Sequence, residues 1–161
     1  MALQIRSEVS CQELSQTIGS DNKTVDKYLD LLEKAFVVFR LPALNRNVRN
    51  EIKKGKKVYF FDCGIRKAIL NNFSPLASRT DAGHLWENFV IAGRMKYKRN
   101  NNLNITQYFW RTTQQPQIDL VEETSDQFLI FECKRNPKAT ARFPLTFTQN
   151  YPFNKSYIVN P

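Results

Sequence analysis

Apolar residues recur at helical spacing through Val25, Tyr28, Leu29 and Leu32, which predicts an amphipathic helix over residues 22–34 with those four positions as its buried stripe. Ser20 and Asp21 are natural N-caps for it. Gly19 marks a turn after a shorter helix over about residues 10–17. Two β-rich runs follow, 36–41 and 57–61, placed to pair with each other. Residues 63–83 hold a short helix and then a connection rich in Ser, Pro and Asn, where a domain boundary is expected. From Asp81, read as a cap, an amphipathic helix runs to Arg99 with Leu85, Phe89, Ala92 and Met95 or Lys96 on its apolar face. Strand patterns occupy 104–112, 117–122 and 127–134, and "TSD" between the last two suits a hairpin turn. Pro144 interrupts a weakly helical stretch before "SYIVN", which reads as a final buried strand.

This order of elements predicts an α/β (α+β) chain in two parts. A helix-turn-helix followed by a basic β-hairpin, the winged-helix pattern, spans residues 1–75. Residues 76–161 form a compact α/β module of one long helix, three strands, a partly helical crossover and a last strand.

Charge narrows the partners. The 161 residues carry 24 Lys and Arg against 15 Asp and Glu, a net charge of +9, which favours a polyanion such as nucleic acid. In a DNA-binding helix-turn-helix the start of the second helix meets base edges, so Lys23, Thr24 and Lys27 are candidate contacts, opposed by Asp26 and Asp30 on or near that face. Arg46, Arg49, Lys53, Lys54, Lys56 and Lys57 lie in or beside the hairpin connection, either as phosphate contacts or as a solvated tip. Three cysteines without metal-type spacing suit a reduced, cytoplasmic protein. No apolar run nears the ~20 residues of a membrane span, and the N-terminus lacks a signal-peptide core. A phosphate-binding glycine loop, an HExxH motif and a Cys/His cluster are all missing, so no ATP site is expected within the chain. The sole histidine, His84, reads as a surface or capping residue beside a helix start rather than a base, so chemistry is expected to rest on carboxylates.

The segment "FLIFECKRN" (128–136) carries those carboxylates. Strand alternation puts Phe128, Ile130, Glu132 and Lys134 on one side and Leu129, Phe131 and Cys133 on the other, with Cys133 read as packing. In "QIDLVE" the same alternation sets Ile118 and Leu120 opposite Gln117, Asp119 and Val121. If the two strands form a hairpin, Asp119 lies beside Glu132 and Lys134. Two carboxylates on adjacent strands suit Mg²⁺, a hard cation that retains waters. Lys134 would then orient the water or stabilise the phosphorane, and Glu87 on the preceding helix is the natural third carboxylate. The same four residues also suit a buried ion-pair network without chemistry. Arg111 fits either a scissile phosphate or a core carboxylate. Trp86 and Trp110 read as core aromatics rather than base-stacking platforms.

The order helix-Glu87, strand-Asp119, strand-Glu132-x-Lys134 resembles the PD-(D/E)XK nuclease-like superfamily, with Ile118 where the motif name has proline. A wider likeness runs through "VSCQELSQTIGSDNKTVDKYLDLLEKAFVVFRL", "VYFFDCGIRKAIL", "LWENFV", "YFWRT", "IDLVEE" and "FECK". These resemble the C-terminal half of prokaryotic AAA+ ATPases that end in domain of unknown function 4143. The resemblance implies a winged helix followed by a restriction-endonuclease-like domain with a central mixed sheet. It also implies a Mg²⁺ site at Asp119, Glu132 and Glu87, with DNA as partner. An ATPase domain of the same longer protein is implied as a second partner and as the route to oligomers.

Overall fold

The computed structural model describes residues 11–46, 51, 55–114, 116–125 and 127–161. Helices α1 (Cys11–Ile18) and α2 (Asn22–Lys34) open it, joined through Gly19 at φ +66°, a left-handed turn conformation suited to glycine. Asp21 caps α2 by accepting from the backbone N–H groups of Lys23 at 2.9 Å and Thr24 at 3.0 Å. Its carboxyl is held below the usual range, chiefly by the Thr24 hydroxyl. Leu14, Val25 and Leu29 form a small core between the two helices. Tyr28, expected in that stripe, is exposed instead, because the described part of this core is only two helices thick and reaches Val25 and Leu29 alone on α2.

Strands β1 (Val38–Pro42) and β2 (Lys56–Phe60) pair antiparallel, Val38 opposite Phe60 and Pro42 opposite Lys56. Arg40 of β1 reaches back to α2. Its Nε donates to Glu33 at 2.8 Å, one terminal nitrogen lies 2.8 Å from Asp26, and the other meets Asp30 and Glu33. The acidic face of α2 is therefore neutralised by its own neighbouring strand.

Helix α3 (Cys63–Ile69), a 3₁₀ turn (Leu76–Ser78) and α4 (Ala82–Asn100) follow. Asp81 occupies the N-cap position of α4, yet its side chain does not cap. It binds Arg79 at 2.7 Å and the buried Arg66, and these cations hold its carboxyl well below the ordinary range. The inward face of α4 carries Leu85, Glu87, Asn88, Ile91 and Ala92, whereas Phe89, expected there, is exposed. The buried positions centre on Asn88, Ile91 and Ala92, so Phe89 falls just past the edge of that face on the Leu85 side, and the Asn88 amide brackets Phe60 of β2. It accepts from the Phe60 N–H and donates to the Phe60 carbonyl, both at 2.9 Å.

The second sheet is mixed, in the order β3 (Thr106–Arg111), β4 (Gln117–Glu123), β5 (Phe128–Cys133), β6 (Phe153–Val159). The first three are antiparallel neighbours, and β6 returns parallel to β5. A four-residue helix, α5 (Leu145–Thr148), starts directly after Pro144 and buries Phe147. The final strand, expected to be buried, is exposed along almost its whole length and stands, among the described residues, at the edge of the sheet.

Two clusters fill the faces of this sheet. Trp110, Ile118, Val121, Phe128, Ile130, Phe147 and Tyr151 pack on the α5 side. On the α4 side a single cluster joins Val38, Phe39, Leu41, Val58, Tyr59 and Phe60 to Ile91, Phe109, Leu120 and Phe131, so the first strand pair and the second sheet share one core. Backbone bridges from Ala43 to Phe109 and from Glu51 to Thr112 tie the two strand systems together. Glu51 is buried and accepts from Trp110 Nε1 at 2.7 Å and from the Tyr151 hydroxyl. Among the described residues no helix is long and apolar enough to cross a membrane.

Candidate functional site

A β-bulge decides where Asp119 points. Tyr108 pairs with Val121 and Trp110 with Ile118, so Asp119 and Leu120 together stand opposite the single residue Phe109. An extra residue in one strand breaks the alternation of faces and re-aims side chains locally. Leu120 and Phe109 accordingly join the α4-side cluster, while Ile118 and Val121 both lie on the α5 side. The regular alternation expected for "QIDLVE", with Ile118 and Leu120 on one face, is thus replaced.

Asp119 is 3% exposed, and its Oδ2 accepts from the backbone N–H of Cys133 at 2.9 Å. That bond sits where the ladder between β4 and β5 ends at Leu120 and Phe131. It fixes the carboxylate against the end of β5, which carries Glu132. Burial raises the Glu132 carboxyl above its ordinary value, and the charge of Asp119 adds to the rise. Lys134 opposes both, its Nζ lying 2.6 Å from Glu132 Oε1. Glu132 and Lys134 share one side of the strand end, as alternation requires.

Cys133, half-buried at the end of β5, stays a neutral thiol, as a packing role requires. Burial drives its thiol well above the usual range, and Asp119, Glu87 and Glu132 push it further in that direction. All three charges thus act on this sulfur, at a residue whose parity with Leu129 and Phe131 turns it toward α4. Glu87, 2% exposed, comes down from α4 beside Asn88. Its Oε1 accepts from the Tyr59 hydroxyl at 2.8 Å and lies 3.8 Å from Lys57 Nζ. Burial, then the Glu87 charge, raises the Tyr59 phenol far above its usual value, so it stays a donor.

The four expected site residues thus gather at one end of the sheet, and Lys57, Tyr59 and Cys133 join them. Lys57 and Tyr59 are two apart on β2 and share a face, a signal present in "KKVYFF" as a lysine inside an apolar strand. Lys57 was expected among the phosphate contacts at the hairpin. It is 1% exposed and stacked over the Phe109 ring instead, because the strand period turns it inward with Tyr59. Among the described residues, no three His, Cys, Asp or Glu side chains converge as a metal-ligand set.

The other expected nucleic-acid contacts are dispersed. Lys23 and Lys27 are exposed on α2, and the Thr24 hydroxyl is engaged by Asp21 at 2.6 Å. Arg46 is exposed and paired with Glu123, and Lys56 is exposed at the start of β2. Arg49, Lys53 and Lys54 lie outside the described residues. Arg111 is half-buried at the end of β3, opposite Gln117. Trp110 is wholly buried, and half-buried Trp86 donates from Nε1 to the Val159 carbonyl at 2.9 Å.

Residues 82–161, which hold α4 and the whole mixed sheet, match the family described as "Domain of unknown function (DUF4143)". Residues 1–76 match a second family, "Domain of unknown function (DUF8612)". Lys57 and Tyr59 therefore come to Glu87 from a segment assigned to a different family. Two uncharacterized proteins, one from Mycobacterium bovis and one from Mycobacterium tuberculosis, are each 31% identical over 125 residues, which is 76% of this chain and 27% of the relative. The chain spans about a quarter of the length of the curated relatives it matches. No solved structure matches it.

Proposed function

We propose that this chain is a DNA-binding, Mg²⁺-dependent nuclease-like region of a larger AAA+ ATPase, with a winged helix ahead of a restriction-endonuclease-like domain. The observation that carries the reading is the pairing of Asp119 with Glu132 at the end of neighbouring strands, Lys134 2.6 Å from the latter. The charge of Asp119, at the end of β4, adds to the raised proton affinity of half-buried Glu132, and a cation would relieve that repulsion. Their hard oxygen donors fit Mg²⁺, which needs only one or two protein carboxylates and keeps its waters. Asp119 and Glu132 would hold the ion. When bound, it supplies Lewis-acid stabilisation of the phosphodiester and a more acidic water.

The chain's own groups have separate tasks. Lys134, about a third exposed beside Glu132, is the group open to solvent and faces an entering phosphate. The bulge and the Cys133 N–H hold Asp119 in place before any ligand arrives. The exposed Lys23, Lys27, Arg46 and Lys56 supply phosphate affinity without sequence choice. In the longer protein the ATPase domain is the natural partner and the source of any oligomer.

A second reading has its own observation. Lys134 pairs with Glu132 and Lys57 with Glu87, so two of the three carboxylates are neutralised within the protein. Such pairing sustains a nuclease-like fold as a DNA-binding or docking module without cleavage. Calorimetric titration of Mg²⁺ and Mn²⁺ into the wild type and Asp119→Asn, followed by incubation with single- and double-stranded DNA, separates the two. Metal binding and cleavage that both vanish in the variant establish the nuclease. Cleavage surviving in both Asp119→Asn and Lys134→Met sinks it, and DNA affinity without metal binding leaves the module.

A further inference from the structure

Within the candidate site, Lys57 carries a polar group left unsatisfied: Nζ is fully buried and has no hydrogen-bond partner. Burying an ammonium without hydrogen bonds is costly, and a nearby carboxylate offsets this only in part. What surrounds it is the face of Phe109, with Nζ 5.1 Å from the ring centroid, and Glu87 Oε1 at 3.8 Å. The Tyr59 hydroxyl grips that same oxygen. β2 therefore applies both a positive charge and a hydrogen bond to one carboxylate of the site.

We propose that Lys57 is a positioning residue of the candidate site, a built-in cation that holds Glu87 to β2 and so limits the divalent-cation set to Asp119 and Glu132. The inference rests on the reading of those two as the cation-binding pair. It accounts for the lack of a three-ligand group among the described residues, since Glu87 is held by Lys57 and Tyr59 of β2. It also makes the site a joint product of two segments. The ammonium comes from residues 1–76 and the carboxylates from residues 82–161. A movement of β2 relative to α4 would change the affinity for the cation without touching Asp119 or Glu132.

The test is calorimetric titration of Mn²⁺ into the full chain as wild type, Lys57→Met, Lys57→Arg and the double variant Lys57→Met/Glu87→Gln. Outer-shell changes alter metal affinity by roughly 10- to 100-fold. Lys57→Met is expected to tighten Mn²⁺ binding by about tenfold or more, with Lys57→Arg close to wild type and the double variant losing the gain. Unchanged or weaker binding in Lys57→Met overturns the inference, as does a gain that persists when Glu87 is also replaced. A wild type that binds no Mn²⁺ removes the proposed metal pair, while a Glu87-dependent gain in Lys57→Met still upholds the role of Lys57. If neither binds, both fall. Should circular dichroism show Lys57→Met unfolded, Lys57→Gln, which keeps a donor toward Glu87 but no charge, is read by the same outcomes.

Discussion

The Asp119 carboxylate accepts the Cys133 backbone N–H at 2.9 Å, so the residue proposed to hold a cation also closes the ladder between β4 and β5. Alanine at this position removes a ligand and orphans an N–H together. Asp119→Ala is expected to cost about 1–2 kcal/mol from that unmet donor. Asp119→Asn keeps an acceptor oxygen and should unfold in urea within about 0.5 kcal/mol of wild type, the range of a change that breaks nothing structural. Equal losses in both variants would mean that charge, rather than the hydrogen bond, holds the strand end.

Glu132 gives the site a pH signature. Its folded carboxyl is raised above the ordinary 4.5, first by burial and then by Asp119. A raised acid binds its proton more tightly when folded, so its contribution is complete below the unfolded value and is lost as pH rises through the folded one. Glu132→Gln cannot ionise. Its urea midpoint, compared with wild type, is expected to improve steadily from about pH 4.5 upward and to level off once wild-type Glu132 is charged. A flat difference across that window would contradict the raised value.

Asp81 behaves in the opposite sense. Arg79 and Arg66 hold its carboxyl low, so the stability it contributes is present above the unfolded value of 3.8 and is lost as pH falls toward the folded one. Asp81→Asn removes the anion that Arg79 shares with Arg66, whose side chain is 1% exposed. The expected cost at neutral pH is about 3 kcal/mol, read as a lower thermal midpoint and a weaker acid dependence. A variant as stable as wild type would show that the Asp81 charge contributes nothing to holding Arg66 and Arg79.

Arg40 binds α2 to β1 through Asp26, Asp30 and Glu33. Because Asp26 and Asp30 are about half exposed, solvent screens much of this network. Arg40→Ala is expected to cost about 1–2 kcal/mol once that screening is allowed for, with faster hydrogen exchange confined to α2 and β1 and a smaller effect in high salt. Uniform exchange across the chain would place the role of Arg40 elsewhere.

DNA affinity, if carried by the exposed cations, obeys counterion release. Replacing Lys23, Lys27 or Lys56 with Ala should each flatten the plot of log affinity against log salt by about 0.7–0.9 for every phosphate that the side chain had neutralised. Fluorescence anisotropy with a labelled duplex measures the slope. Three unchanged slopes would move the DNA interface away from α2 and the start of β2.

Much of the fold was legible because it depends on local rules. The 3.6-residue stripe and the Asp21 cap set α2, and period-two runs set β3 and β5, whereas β4 keeps its place in the order but loses its alternation at the bulge. Failures occurred where one residue had two options. Asp81 had the chemistry of a cap, but two arginines outcompeted the N–H groups. Phe89 had the spacing of a core residue, but the face turned inward centres on Asn88, Ile91 and Ala92, with Asn88 bonding the Phe60 backbone, and Phe89 falls beyond its edge.

The sequence by itself determined the order of elements, the helix starts and the residue types of the site: a helix Glu, a strand Asp and a Glu-x-Lys at a strand end. Local geometry and hydrophobic period suffice for these, since each involves residues within a turn or a strand. Only the tertiary structure decided which face Asp119 takes, because a bulge is a mismatch between two strands and has no signature in either alone. It also decided that Lys57 lies inside. A charge on a strand is read as solvent-facing until its partner, Glu87 on a helix 30 positions later, is brought within 3.8 Å by the packing of α4 on β2.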